Sequence, residues 1–141
     1  MSKPHRIAAG GITFHEDSVL LVRYPGGSGG TYLAAPGGAL EDDENVLQAI
    51  LRETREETGV LMRPIRVVLI EDLVFPEYKM SKVWMICDFI EGKIRRTIEA
   101  EREGILEADW FTAAELRGET VYPPVLIQRD WAQLQSADCR V

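Results

Sequence analysis

Short apolar runs separated by polar residues and glycines predict several β-strands. Two runs rich in β-branched residues, Ile7 to Phe14 and Ser18 to Tyr24, flank the polar residues 15–17, and this pattern predicts a β-hairpin. A glycine-rich loop over 25–30 leads into a further apolar stretch that ends at Pro36-Gly37-Gly38. Later runs predict three more strands, at Arg66 to Leu73, Lys82 to Ile90 and Gly104 to Phe111.

A different periodicity predicts one long α-helix between the early and late strands, over Glu44 to Thr58. Asp42 and Asp43 offer oxygens for its N-cap, and Gly59 follows its end as a C′ residue. A core-facing stripe is expected at Leu47, Ile50, Leu51 and Thr54. Short helices are expected at Thr112 to Arg117 and Pro124 to Gln133. Together these elements predict an α/β layered fold with a mixed β-sheet, whose strand order the pattern leaves open.

Composition restricts the class of ligand. The 141 residues suit a single domain, 1–141, and 23 acidic against 16 basic residues give a net charge of −7. Because nucleic-acid binding depends on a basic surface, this charge argues against a nucleic-acid polymer as partner. It allows a small phosphorylated ligand when a metal cation supplies the positive charge.

The cysteines and the lack of long apolar segments indicate a cellular location. Cys87 and Cys139 match no metal-binding spacing and are expected to be reduced thiols. No apolar stretch is long enough for a membrane span, and the N-terminal residues lack the apolar core of a signal peptide. We therefore expect a cytoplasmic protein that does not associate with membranes.

The polar side of the long helix carries the most informative cluster. Glu53, Glu56 and Glu57 are spaced i, i+3 and i+4, so their carboxylates share one face near the end of the helix. Mutual repulsion and the helix dipole both disfavour this arrangement, and only Glu56 has a cation, Arg52, at helical spacing. A hard divalent cation, Mg²⁺ or Mn²⁺, would resolve the conflict. The alternative is an ordinary solvated acidic helix end.

A longer motif favours the metal site. Across the 23 positions from Gly38 to Val60 the sequence resembles the box that defines the Nudix hydrolase family. The seven fixed residues of that box are all present: Gly38, Glu44, Arg52, Glu53, Glu56, Glu57 and Gly59. Thr54 stands where the family usually has an aliphatic residue, which concerns packing rather than chemistry. The leading hairpin and the late strand also resemble this family, so the resemblance covers most of the chain.

The resemblance implies a fold, an activity and a set of site residues. The fold is the Nudix-type α/β/α sandwich around a mixed β-sheet. The activity is hydrolysis of a diphosphate linkage in a nucleoside diphosphate derivative, with Mg²⁺ or Mn²⁺ as cofactor. Metal ligands are expected at Glu53, Glu56, Glu57 and the Gly37 carbonyl. Glu44 and Arg52 are expected to orient the acidic cluster.

The base that activates water varies in this family between a box glutamate and a downstream acid. Four glutamates crowd the segment before Trp110, at Glu99, Glu101, Glu103 and Glu107, and we select Glu103. Candidates for substrate binding are Arg23, which could contact a phosphate, and Phe75 and Tyr78, which could stack on a base. Each has an ordinary structural alternative, as a strand-end cation or as core aromatics.

The substrate stays open between three classes. Pro76 stands where a proline marks many ADP-ribose pyrophosphatases, whereas Tyr78 stands where a tyrosine marks many dinucleoside polyphosphate hydrolases. A nucleoside triphosphate is the third class. The alternative function is a nucleotide-sensing Nudix domain without turnover, which the intact acidic box disfavours. Association into a homodimer is left open.

Overall fold

The computed structural model describes residues 3–136, which form eight β-strands, four α-helices and one 3₁₀ turn. The strands are β1 (His5–His15), β2 (Ser18–Pro25), β3 (Thr31–Ala34), β4 (Gly37–Ala39), β5 (Leu61–Val74), β6 (Lys79–Glu91), β7 (Glu107–Thr112) and β8 (Val121–Tyr122). The helices are α1 (Val46–Thr58), α2 (Ile98–Arg102), α3 (Val125–Gln128) and α4 (Trp131–Gln135), and the 3₁₀ turn is Ala114–Leu116.

All eight strands belong to one mixed sheet in the order β5-β6-β1-β2-β3-β8, with β4 paired to β1 and β7 to β2. Strand β1 runs parallel to β6 and antiparallel to β2 and β4. It pairs with β2 only beside the hairpin turn, from Phe14 and His15 to Val19 and Ser18. Further along, β4 replaces β2 as the neighbour of β1. The sheet therefore divides between β2 and β4, and this division positions the candidate site.

Residues along the strands alternate between two apolar clusters, one on each face of the sheet. Helices therefore cover both faces. On one face, Ile12, Phe14 and Trp84 pack with residues of α3 and α4. On the other, Ala9 and Met85 pack with residues of α1. The predicted α/β fold with a mixed sheet is thus confirmed, and so are the leading hairpin and the long helix.

Several predicted boundaries are wrong. Strands β5 and β6 are longer than predicted because they form one long antiparallel hairpin with each other. Strand β7 begins at Glu107 rather than Gly104. The helix predicted over Pro124 to Gln133 is two helices, α3 and α4, because Arg129 and Asp130 are extended. The segment predicted as a helix over Thr112 to Arg117 is a single 3₁₀ turn. The sequence pattern missed α2, β8 and also β4, whose residues 37–38 were predicted as part of a turn.

Helix α1 differs from the prediction at its start and in its buried face. Its N-cap is Asn45, which forms a reciprocal capping box with Gln48, so neither Asp42 nor Asp43 caps it. Leu47 and Leu51, expected in the core, are 47% and 37% exposed. The buried residues are Ala49, Ile50, Glu53, Thr54, Glu57 and Thr58. The predicted C-terminal glycine is confirmed, because Gly59 has φ 83° and its N–H donates to the Arg55 carbonyl.

Cys87 is a free, buried thiol, and burial raises its pKa to about 12. Such a thiol is protonated at neutral pH and therefore unreactive. Cys139 lies outside the described residues. No helix among residues 3–136 combines the length and the apolar character that crossing a membrane requires.

Gly10 of β1 is required by the side chain packed against it. A Cβ atom built there would overlap the Trp84 indole, which is buried and held by a 2.7 Å hydrogen bond from its Nε1 to Glu71 Oε1. We expect Gly10→Ala to lower the free energy of unfolding by about 1–3 kcal/mol, the usual cost of overpacking. Urea denaturation measures this change. Gly30→Ala is the matched control, since nothing lies within 4 Å of its built Cβ; equal stability of the two variants would contradict the packing account.

Candidate active site

Glu57 lies at the division of the sheet, in the last turn of α1. Its side chain is 1% exposed, and each carboxylate oxygen accepts one hydrogen bond. The Tyr24 hydroxyl on β2 donates to Oε1, and the Gly37 amide at the start of β4 donates to Oε2, both at 2.9 Å. Helix α1 therefore places this carboxylate between the two strands that separate from each other.

Two further glutamates complete an acidic cluster. One carboxylate oxygen from each of Glu53, Glu57 and Glu103 lies within 4.8 Å of the others. Glu53 is buried on the same face of α1 as Glu57. A Cβ atom on Gly38 would overlap the Glu53 carboxylate, so the glycine at this position lets that side chain approach β4.

Glu103 reaches the cluster from α2, where it is the C-cap residue. The Thr97 hydroxyl caps the start of α2 by accepting from the Ala100 amide at 2.9 Å, and it donates to the Glu56 carbonyl of α1. These bonds fix the short helix against the end of α1. Glu103 is exposed, unlike the other two members of the cluster.

The cluster is electrostatically unfavourable as it stands. Burial raises the pKa of Glu57 well above its ordinary value, and the neighbouring Glu53 raises it further. Burial also raises the pKa of Glu53, and the negative charge of Glu103 raises it further. In the same way, burial raises the pKa of Glu103, and the charge of Glu56 raises it further. Each carboxylate thus disfavours ionisation of the next.

Arg52 donates hydrogen bonds to three glutamates, Glu44, Glu53 and Glu56. Its Nε and Nη2 donate to the two carboxylate oxygens of Glu44 at 2.6 and 2.9 Å, a bidentate pair that lowers the pKa of Glu44. Its Nη1 donates to Glu53 at 2.9 Å and to Glu56 at 3.1 Å. The pair of Arg52 with Glu56 is the one that helical spacing predicts, and Glu53 shares the same cation although it is only one residue away. The orienting role of Glu44 and Arg52 stays a prediction.

Two of the predicted metal ligands, Glu56 and the Gly37 carbonyl, are not among the three carboxylates of the cluster. Glu56 points to Arg52 and is not part of the three-carboxylate group found among residues 3–136. Gly37 contacts the cluster through its amide, which donates to Glu57, whereas the prediction concerned its carbonyl. Their roles as metal ligands stay predictions.

The predicted substrate-binding residues lie in two separate places. Arg23 is held within the protein by ion pairs to Glu107 at 3.1 Å and Glu119 at 2.9 Å. Phe75 and Tyr78 stack on each other at 4.7 Å between ring centroids, at the turn of the β5–β6 hairpin. The Arg6 guanidinium covers the Tyr78 ring at 4.3 Å. Their contacts with a substrate stay predictions.

The sequence pattern did not identify Tyr24, whose hydroxyl donates to Glu57, or Lys82, whose pKa the acids of the cluster influence. Tyr24 ends a predicted strand and showed no distinguishing signal. Lys82 alternates with Trp84 and Ile86 along a predicted strand, and a cation in an otherwise apolar row is a signal that could have identified it.

The three-carboxylate group fits a hard divalent cation. Its donors are all carboxylate oxygens, the ligand type that Mg²⁺ and Mn²⁺ favour. A cation there would offset the burial and the mutual repulsion that raise the pKa values of the three side chains.

Comparison with known proteins identifies the family. The family model for the NUDIX domain matches residues 4–130, so the chain belongs to this family. A NUDIX hydrolase structure from Nitrosomonas europaea is 26% identical and superposes with a TM-score of 0.72, over 89% of this chain and 85% of that one. The predicted membership of the Nudix hydrolase family and the Nudix-type fold are confirmed.

Curated relatives carry names of two kinds. The NAD-capped RNA hydrolase NudC of Klebsiella pneumoniae subsp. pneumoniae is 26% identical over 125 residues, which cover 89% of this chain and 45% of that protein. The 8-oxo-dGDP phosphatase NUDT18 of Danio rerio is 30% identical over 76 residues, 54% of this chain and 22% of that protein. The chain thus spans less than half the length of either relative.

Replacing Glu57 by glutamine tests whether its charge is unfavourable without metal. The amide can accept from the Gly37 N–H and donate to the Tyr24 hydroxyl, so both contacts of Glu57 can persist. We expect metal-free Glu57→Gln at pH 8 to be as stable as the parent or more stable. The gain in free energy of unfolding should not exceed about 0.5 kcal/mol. Chemical denaturation in EDTA measures this. A clear loss of stability would show that the carboxylate is structural.

The pH dependence provides a second test. A carboxyl group whose pKa is raised by folding contributes stability at low pH, and this contribution is lost as the pH rises through the folded-state pKa. We expect the metal-free parent to lose free energy of unfolding as the pH rises above the ordinary carboxyl range, and Glu57→Gln to lose less. Denaturation curves from moderately acidic to weakly alkaline pH measure both slopes. Parallel slopes for the two proteins would contradict the raised pKa of Glu57.

Proposed function

We propose that the chain hydrolyses the diphosphate linkage of a nucleoside diphosphate derivative, with Mg²⁺ or Mn²⁺ as cofactor. The observation that supports this most is the group of three carboxylates within 4.8 Å, inside a Nudix domain. Among the described residues, Arg52 forms an ion pair with Glu53, but no basic side chain pairs with Glu57 or Glu103. Such a site has the charge to hold a divalent cation together with an anionic substrate.

Each residue of the site then has a defined task. Glu53 and Glu57 would hold the cation, which supplies positive charge to the diphosphate and favours deprotonation of a water molecule. Tyr24 and Gly37 fix the Glu57 carboxylate by their hydrogen bonds, and Arg52 fixes Glu53. Glu103 is exposed at the end of α2 and would accept the proton of the attacking water.

The proposed substrate carries a second bulky group on its diphosphate, as ADP-ribose and dinucleoside polyphosphates do. Pro76 and Tyr78 support this class, because one of them would shape the pocket for that group. The Klebsiella relative is named for an NAD-capped RNA, whose cap contains such a linkage. The argument from net charge against a nucleic-acid polymer stays a prediction, as do the cytoplasmic location and a homodimer.

A substrate panel tests the activity and its specificity together. We expect Mg²⁺-dependent hydrolysis of ADP-ribose or a dinucleoside polyphosphate, with kcat/KM above that of every nucleoside triphosphate, and no turnover in EDTA. Product analysis by chromatography measures both. A triphosphate preferred by about tenfold, equivalent to about 1.4 kcal/mol, would overturn the specificity. Nucleotide binding without any turnover would instead favour a sensor domain.

Glu103→Gln tests the assignment of the base. Loss of a general base lowers kcat by roughly 10²–10⁴-fold, and we expect this loss here. Glu101→Gln is the matched control from the same helix, because Glu101 is exposed and its carboxylate pairs with Arg96 at 3.1 Å. The control should retain parental kcat. Near-parental turnover in Glu103→Gln would return the role to Glu53 or a neighbouring acid.

A further inference from the structure

Lys82 lies on the face of the sheet opposite α1. Side chains of β6 alternate between the two apolar clusters: Trp84 and Ile86 belong to the cluster under α3 and α4, whereas Met85 and Cys87 belong to the one under α1. By this alternation Lys82 shares the face of Trp84. Its neighbours on β1 are small, since Ala8 pairs with Lys82 and Gly10 pairs with Trp84.

The ammonium group of Lys82 contacts an aromatic ring and forms no ion pair with any of the residues that the structure describes. Its Nζ lies 4.3 Å from the centroid of the Trp84 ring. Glu71 is opposite Lys82 on β5, but its carboxylate accepts the hydrogen bond from the Trp84 indole. Among residues 3–136, Lys82 Nζ makes no hydrogen bond and no ion pair. Three N–H donors of a half-buried cation are thus available to a ligand.

The charges that act on Lys82 connect it to the acidic cluster. Burial lowers its pKa, and Glu57, Glu71 and Glu53 oppose that effect, with Glu57 the strongest of the three. Two of these acids belong to the cluster within which a cation would bind. Strand pairing also places Lys82 near the cluster: Lys82 is in register with Ala8 of β1, and Ala8 with Ala39 of β4, the strand whose Gly37 amide donates to Glu57.

We propose that Lys82 binds the diphosphate of the nucleotide by donating to a phosphate oxygen from the side opposite the acidic cluster. This inference rests on the proposed function, which places the diphosphate beside Glu53 and Glu57. An ammonium group is a point charge suited to phosphate oxygens. The ammonium group lies over the Trp84 ring, and this ring is itself held in place by its hydrogen bond to Glu71.

The geometry favours the phosphates over the base as the partner of Lys82. Tyr78 precedes Lys82 by four positions, which corresponds to about 13 Å along an extended chain. Tyr78 and Phe75 are the predicted base-stacking residues, so a base placed there would lie well away from the ammonium group. The diphosphate, in contrast, must lie beside the acidic cluster that acts on Lys82.

Nucleotide binding by a matched set of variants tests this proposal. Lys82→Met removes the charge and keeps the length, Lys82→Gln is a second neutral variant, and Lys82→Arg restores a cation. Lys79→Met is the control, because Lys79 is exposed and, by strand alternation, lies on the other face of β6. The ligands are the α,β-methylene analogues of ADP, GDP and UDP, measured by calorimetry with Mg²⁺.

We expect Lys82→Met and Lys82→Gln to raise Kd about tenfold or more, by the same factor for all three bases, with partial recovery in Lys82→Arg. Lys79→Met should bind as the parent does. On the preferred substrate, the neutral variants should raise KM more than they lower kcat. Thermal melts of the free variants confirm that each is folded.

Four results would overturn the proposal. An unchanged Kd in both neutral variants would show that Lys82 does not contact the nucleotide. A loss confined to one base would place the contact on the base. Failure of the parent to bind any analogue would overturn the proposed function as well, whereas retained hydrolysis with parental KM in Lys82→Met would reject only the role of Lys82.

Discussion

The Glu57 carboxylate is buried where α1, β2 and β4 meet, and the Tyr24 hydroxyl and the Gly37 amide donate hydrogen bonds to it. A buried charge of this kind is costly unless it is paired or binds a metal. Its close neighbours, Glu53 and Glu103, add negative charge instead of removing it. The separation of β2 from β4, the short helix α2 and the hydrogen bonds of Arg52 all serve to hold this unfavourable group together.

Much of the fold could be predicted because it follows from local pattern. The first hairpin and helix α1 are encoded within the residues that form them. The pairing of strands that are distant in sequence is not encoded locally. The parallel pairing of β1 with β6, for example, joins residues that no local pattern relates. The lengths of β5 and β6 depend in the same way on their mutual pairing, and the 3₁₀ turn and the short helices give too few residues for a periodic signal.

The site shows where pattern reasoning fails for a physical reason. Amphipathic spacing predicts that Leu47 and Leu51 are buried, yet α1 buries Glu53 and Glu57 in the protein instead. The helix thus buries charged side chains where the amphipathic pattern favours apolar ones, as is expected at functional sites. Glu103 was selected from several nearby acids by resemblance to the family, but its placement depends on the cap that Thr97 provides for α2. Tyr24 was missed because only the folded chain brings it to Glu57.

Locating the cation is the most direct test of the central claim, that the buried carboxylates form a metal site that binds a diphosphate. Crystals grown with Mn²⁺ and the α,β-methylene analogue of ADP would give anomalous scattering that marks the metal position unambiguously. We expect a Mn²⁺ peak within coordination distance of carboxylate oxygens of Glu53 and Glu57, with phosphate oxygens beside it. A Mn²⁺ peak elsewhere, with Glu57 still bonded only to Tyr24 and Gly37, would contradict it.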